Sequence, residues 1–282
     1  MFARSCNNVY MIKSTSKTNA SNLPIGIFDS GVGGLSIAKA VSEQLPKENF
    51  IYVADSNYAP YGCSTIDKVK ERSFRITQWL VDQNVKAIVV ACNTATVNAI
   101  EELRKEFDLP IVGVEPAIKP AAQASINKSI GIFTTKATAE NQRFKALVEQ
   151  HKGNSEINIQ PCPGLVELVE SGEYDSIQAE ELLKKYLLPL EEKNIDKLVL
   201  GCTHYPFLSE QINKLTQNSI ELVETATPVT KQLKRRLSEC GILSTISKAG
   251  VNRFYSTKAN SELEITMQAL WKGEIKLSPL PV

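Results

Sequence analysis

Short, continuous apolar runs alternate along this chain with stretches in which apolar residues return every three or four positions. Runs of the first kind lie at 25–28, 50–54, 87–91, 111–114, 129–133, 157–159, 197–200 and 221–223. Each is three to five residues long and most are apolar on both faces, the pattern of a strand buried on both sides. Between 58 and 82, Ile66, Val69, Ile76 and Leu80 share one face of a predicted helix. Leu182, Leu183, Tyr186, Leu187 and Leu190 do the same in a second, with Pro189 marking its end. Buried strands that alternate with helices predict an α/β protein built on mainly parallel sheets covered by helices. Ligands of such sheets sit at the carboxyl ends of the strands.

Those ends carry the unusual residues. The run at 25–28 leads into Asp29-Ser30-Gly31-Val32-Gly33-Gly34, and that at 87–91 into Cys92-Asn93-Thr94-Ala95-Thr96. Further on, 129–133 leads into Thr134-Thr135, and Leu200-Gly201 into Cys202-Thr203-His204-Tyr205-Pro206. Gly-Ile-Phe returns after 105 residues and the strand-end cysteine after 110. The near-equal offsets predict a duplicated architecture with one cysteine in each half.

Composition narrows the function classes. Among 282 residues, 32 Lys+Arg stand against 31 Asp+Glu, a net charge of +1 that lacks the basic footprint of a nucleic-acid-binding protein. No apolar tract approaches the length of a membrane span. Six cysteines, scattered and without a C-x-x-C pair, and only two histidines, His151 and His204, exclude a disulfide scaffold and a His-rich metal enzyme. A reducing, cytoplasmic setting fits the free thiols. The first 23 residues are Ser-, Thr- and Asn-rich, and no acid occurs before Asp29. Without the apolar core of a secretory signal, they read as a disordered extension.

A cysteine that ends a strand and opens a helix lies where backbone N–H groups and the helix dipole favour a thiolate. Lowering a thiol pKa from about 8.5 to 7 takes roughly 2 kcal/mol of preferential anion stabilisation. Cys6, Cys63, Cys162 and Cys240 read as packed or exposed thiols; Cys92 and Cys202 stand apart in their paired context. Two thiols on opposing half-sites suit a racemase at a carbon acid, which removes a proton from one face and delivers one to the other. The same pair also suits a reversible redox switch, and a protein that binds an amino acid without reacting leaves the second cysteine without a purpose. The glycine-rich segment fails the dinucleotide fingerprint, because Ser36 stands where the third glycine belongs. It also fails the phosphate-loop pattern, because Val32-Gly33 follows Gly31 where Lys-Ser/Thr belongs. What remains is a loop that a carboxylate can approach closely.

Five segments together resemble glutamate racemase: Gly26 to Leu35, Pro60-Tyr61-Gly62, Val90 to Thr96, Val112-Gly113-Val114-Glu115-Pro116, and Leu200 to Pro206. They match in order and spacing over about residues 24–236. The resemblance implies two pseudo-symmetric α/β domains with the active site between them: 24–115 with 227–282, and 116–226. It implies cofactor-independent and metal-free interconversion of L- and D-glutamate, with D-glutamate supplied to peptidoglycan, and in many members a homodimer. Cys92 and Cys202 resemble the two catalytic bases, Cys92 for D-glutamate and Cys202 for L-glutamate. Asp29-Ser30, Tyr61-Gly62, Asn93-Thr94 and Thr203-His204 match the substrate-contacting pairs. Asp29 resembles the residue that assists Cys92, while His204 and Glu170 resemble those that assist Cys202, with Glu167 close enough to compete with Glu170. Aspartate racemases share the paired cysteines but tend to carry an acidic residue where His204 stands. Some members with N-terminal extensions are activated by a peptidoglycan precursor, and some affect DNA gyrase. Cys63, directly after Pro60-Tyr61-Gly62, and the long extension are this chain's departures.

Overall fold

A computed structural model describes residues 20–282 as two parallel sheets flanked by helices. The strands are β1 (Ile25–Asp29), β2 (Phe50–Ala54), β3 (Ala87–Val90), β4 (Ile111–Gly113), β5 (Ser129–Thr134), β6 (Glu156–Pro161), β7 (Lys197–Leu200), β8 (Glu221–Val223), β9 (Asn252–Ser256) and β10 (Leu277–Pro279). The first sheet has the order β10-β9-β2-β1-β3-β4 and the second β6-β5-β7-β8, with every pairing parallel. Remove β9 and β10, and the two orders are the same: 2-1-3-4 against 6-5-7-8. Phe28 pairs with Val90 as Phe133 pairs with Leu200, which sets Asp29 against Thr134 and Cys92 against Cys202 as equivalent positions. The α/β fold and the repeat behind the 105- and 110-residue offsets are thus visible in the strand order.

All eight apolar runs form strands. The central ones, β1, β2, β3, β5 and β7, are buried at every residue. β9 and β10 had no such run. Asn-Arg-Phe-Tyr-Ser is only half buried, and β10 is a three-residue edge ending in Pro279, where a missing N–H does no harm.

Both predicted helices form, with two corrections. The helix Ile66–Asp82, capped by Thr65, buries Val69, Ile76 and Leu80, but Ile66 in its first turn is 56% exposed. The helix Ile177–Glu191 passes through Pro189 instead of stopping there. Of the 1–23 extension, residues 1–19 lie outside the described residues. Ala20 and Ser21 are buried, and the Ser21 carbonyl accepts a hydrogen bond from Lys86 Nζ at 2.5 Å, so the packed chain starts before residue 24.

One apolar cluster runs through both halves, joining Ile25, Ile27 and Leu35 of the first to Leu165, Leu198 and Leu200 of the second. No helix among the described residues is long and apolar enough to cross a membrane.

Candidate active site

The carboxyl ends of β1 and β3 face those of β5 and β7 across a narrow cavity. Ser30, Tyr61, Gly62, Cys92, Asn93 and Thr94 line it from the first half; Cys202, Thr203 and His204 line it from the second. Each of these had been singled out in the sequence. Asp29 and Glu170 stand behind this lining and bond to residues within it.

Cys92 follows β3 and caps the helix Asn93–Glu106, its sulfur accepting the Ala95 N–H at 3.4 Å and lying 3.8 Å from Ser30 Oγ. Burial pushes the Cys92 thiol well above its ordinary pKa, and the Asp29 carboxylate pushes it further; the Ala95 and Ser30 contacts oppose both. The resting form is therefore the protonated thiol.

Cys202 follows β7 but opens no long helix: the chain turns through Thr203 and His204 into the one-turn helix Tyr205–Leu208. Its partner is an imidazole. His204 Nδ1 lies 3.6 Å from Cys202 Sγ, and His204 Nε2 lies 2.6 Å from Glu170 Oε1. Burial disfavours a charge on His204, but the bonds to Cys202 and Glu170 outweigh it and hold its pKa well above 6.5. Glu170 ends the short helix Leu165–Glu170 and also accepts the Val32 N–H at 2.8 Å, while Glu167 on the same helix is exposed. The geometry thus places Glu170, rather than Glu167, against His204.

Asp29 ends β1, fully buried. Its Oδ1 accepts the Gly31 N–H at 2.8 Å and its Oδ2 accepts Thr203 Oγ–H at 3.0 Å, so it ties the two halves together. Burial raises its pKa, against the lowering influence of His204.

The glycine-rich loop is approached by a carboxylate, as its sequence suggested, but that carboxylate belongs to the chain itself. A Cβ on Gly31 would stand 1.7 Å from Glu170 Oε1, and one on Gly33 would stand 2.2 Å from His204 Nδ1. Glycine is required there because the Glu170–His204 pair occupies the space of a side chain.

Asn93 is 3% exposed, and neither its amide oxygen nor its amide nitrogen has a partner. Such a group is costly to bury and is the expected signature of a polar ligand's partner. Thr94 Oγ1 meets Thr135 Oγ1 at 3.1 Å and Thr138 Oγ1 at 3.2 Å across the cleft. Thr135 and Pro60 also line the cavity and were missed as site residues. The strand-end rule pointed to Thr134-Thr135, and a hydroxyl gives no further signal in a sequence. Among the described residues no group of three or more His, Cys, Asp or Glu is arranged to hold a metal ion.

Comparison with known proteins gives one answer. The Asp/Glu/Hydantoin racemase family matches residues 26–245. A glutamate racemase of Methylococcus capsulatus is 40% identical over 258 residues, covering 92% of this chain and 95% of that protein. The crystal structure of a glutamate racemase isoform from Bacillus anthracis superposes with a TM-score of 0.84 at 30% identity, covering 93% of this chain and 98% of that one. The Escherichia coli glutamate racemase, solved in complex with L-glutamate and the activator UDP-MurNAc-ala, gives 0.80 at 28% identity over 92% and 98% of the two chains. By sequence and fold alike, the chain belongs to the Asp/Glu/Hydantoin racemase family, and it is an isomerase.

Proposed function

We propose that this enzyme interconverts L- and D-glutamate, without a cofactor, by passing protons between the substrate Cα and two cysteines. The observation that carries the reading is the pair of thiols at equivalent ends of a repeated topology, both facing one cavity. Glutamate as substrate is supported by relatives about 40% identical over nearly the whole chain that are glutamate racemases. It is also supported by the L-glutamate complex of the Escherichia coli protein.

In one direction a thiolate takes the α-proton: an S–H bond forms, the Cα–H bond breaks, and the electron pair stays on the substrate as a carbanion delocalised into its carboxylate. The thiol on the opposite wall then gives its proton to the other face of Cα. Nothing is oxidised or reduced, and the two sulfurs end with exchanged protonation states. The other direction runs the same steps backwards. Cys92 serves D-glutamate and Cys202 serves L-glutamate. His204, steadied by Glu170, stabilises the Cys202 thiolate and its return to thiol, while Asp29 assists Cys92, its carboxylate favouring the thiol form that donates the proton. The unpartnered Asn93 amide and the hydroxyls of Thr94, Thr203 and Ser30 bind the substrate's polar groups, and Tyr61 and Gly62 form the wall the substrate is held against. Tight enclosure strengthens each of these bonds in the charged transition state.

The physiological role that follows is supply of D-glutamate for peptidoglycan in the cytoplasm, by a homodimer. Activation by a peptidoglycan precursor is a further part of the proposal, supported by the activator complex of the Escherichia coli relative.

The test is proton NMR of L-glutamate, and separately L-aspartate, in D2O with purified protein and no cofactor. Loss of the glutamate α-proton signal with accumulation of D-glutamate is expected. Exchange with aspartate alone would change the substrate and keep the mechanism. A folded protein that binds glutamate and leaves its α-proton in place, with or without UDP-MurNAc-ala, would overturn the assignment.

A further inference from the structure

Outside the cavity, the largest fully buried side chain is an arginine, and the two-thiol chemistry does not use it. Arg72, from the helix Ile66–Asp82, donates Nε–H to Asp55 Oδ2 and Nη2–H to Asp55 Oδ1, both at 2.9 Å, and both side chains are fully excluded from solvent. The Tyr58 ring covers the guanidinium with its centroid 4.0 Å from Cζ. Burying such a pair is expensive, and replacing it with apolar side chains is often neutral or stabilising, so its presence calls for a role beyond stability.

The pair's third partner indicates that role. Asp55 Oδ2 also accepts the phenolic O–H of Tyr61 at 2.6 Å, while the Asp55 backbone N–H donates to the Asp29 carbonyl at 3.0 Å. Asp55 is thus fixed to the end of β1 through its backbone and to Tyr61 through its side chain. Tyr61 is 1% exposed and forms, with Pro60 and Gly62, the wall of the cavity next to Cys92. Its hydroxyl is spent on Asp55. What the cavity receives is therefore a ring and a turn held in one orientation.

We propose that Asp55 and Arg72 are positioning residues: the forked ion pair anchors the Tyr61 hydroxyl and so fixes the Pro60-Tyr61-Gly62 wall against which glutamate is held at Cys92. The inference rests on the racemase reading and adds to it a unit that touches neither substrate nor sulfur. An arginine suits the task because its planar fork engages both carboxylate oxygens and leaves Asp55 no freedom to rotate; a lysine supplies the charge without the fork. The second half has no counterpart: where Asp55 follows β2, Cys162 follows β6, its N–H on the Thr134 carbonyl at 3.0 Å.

The test is a double-mutant cycle with Tyr61→Phe and Arg72→Lys, read as kcat/KM for each glutamate enantiomer. Tyr61→Phe keeps the ring and removes only the anchored hydroxyl. Each single variant is expected to lose about tenfold in kcat/KM, mainly through KM, and the double variant to be within about twofold of the weaker single, because both changes release the same anchor. Losses that multiply in the double variant would overturn the proposal, as would a Tyr61→Phe enzyme with wild-type kcat/KM. The second criterion holds even if Arg72→Lys does not fold. A parallel cycle measures how well D-glutamate protects Cys92 from iodoacetamide, which needs binding but no turnover. If the wild type fails to exchange the glutamate α-proton, the racemase reading falls. The positioning unit is then judged by protection alone: equal protection in wild type and Tyr61→Phe rejects it, and weaker protection in Tyr61→Phe sustains it.

Discussion

The two halves of this molecule share a strand order and put a cysteine after the same strand, yet they treat that cysteine in opposite ways. In the first half, Cys92 heads a 14-residue helix, takes one backbone N–H and faces a carboxylate. In the second, Cys202 heads a loose turn and faces an imidazole that a glutamate holds in place. A duplicated scaffold fixes where two thiols stand. What each thiol can do is decided by the residue brought up to it, and here those residues cross over. Glu170 of the second half bonds to Val32 of the first, and Thr203 of the second bonds to Asp29 of the first. The surroundings of each thiol therefore depend on the halves being in contact.

Removing either sulfur breaks the comparison most severely. Cys92→Ser and Cys202→Ser are each expected to lower racemisation by about 10²–10⁴-fold, the usual weight of a positioned acid or base, while still binding glutamate. Their residual α-proton exchange in D2O should have opposite enantiomer preference, Cys202→Ser acting on D-glutamate and Cys92→Ser on L-glutamate. The same preference in both variants would mean that the thiols do not face opposite sides of Cα.

Removing the crossover contacts comes next. A methyl at Gly31 collides with Glu170 and one at Gly33 collides with His204, whereas one at Gly62 meets the Thr135 side chain no nearer than 3.0 Å. Gly31→Ala and Gly33→Ala should cost about 1–3 kcal/mol of stability, as overpacking does, together with most of the activity. Gly62→Ala should cost less of both. Urea denaturation and kcat on the three variants give the ranking, and an equal effect at all three would show that the loop is merely crowded.

Eight of the strands and both cysteines were legible in the sequence because buried parallel strands are continuous apolar runs and their carboxyl ends are where chemistry collects. The edge strand Asn252–Ser256 was not, because a half-covered strand with Arg and Asn in it has no apolar run to show. The crossover was hidden for a different reason. Nothing local distinguishes Glu170 from Glu167 on their helix, and only the docked second half gives one a histidine and leaves the other in solvent. Asp55 and Arg72 were invisible likewise: 17 residues apart, they read as ordinary charges until the fold buries them together.

The pH response separates the halves more gently. His204 has its folded pKa raised above 6.5, so the folded protein keeps a proton that the unfolded chain loses. The stability this supplies is fully present below about pH 6.5 and is lost as pH rises through the folded value. The urea midpoint of the wild type should therefore fall more steeply above pH 6.5 than that of His204→Asn. Parallel curves would mean that the imidazole is not held charged.

The smallest effect is expected at the thiol that stands nearest the site in sequence and outside it in space. Cys63 directly follows Tyr61-Gly62, yet it is exposed, while Cys92 and Cys202 are 5% and 6% exposed. Exposure thus runs opposite to the proposed roles among these cysteines. Cys63→Ser should leave kcat/KM unchanged and shift stability by no more than about 0.5 kcal/mol, as surface substitutions do. Iodoacetamide should modify Cys63 first, with activity retained, and inactivate only later as Cys92 or Cys202 reacts, a phase that glutamate slows. If the first equivalent of reagent abolished activity in the wild type but not in Cys63→Ser, the turn carrying Tyr61 and Gly62 would be sensitive to what is attached to its outer face. The wall beside Cys92 would then be adjustable from solvent, and the wall beside Cys202 would not.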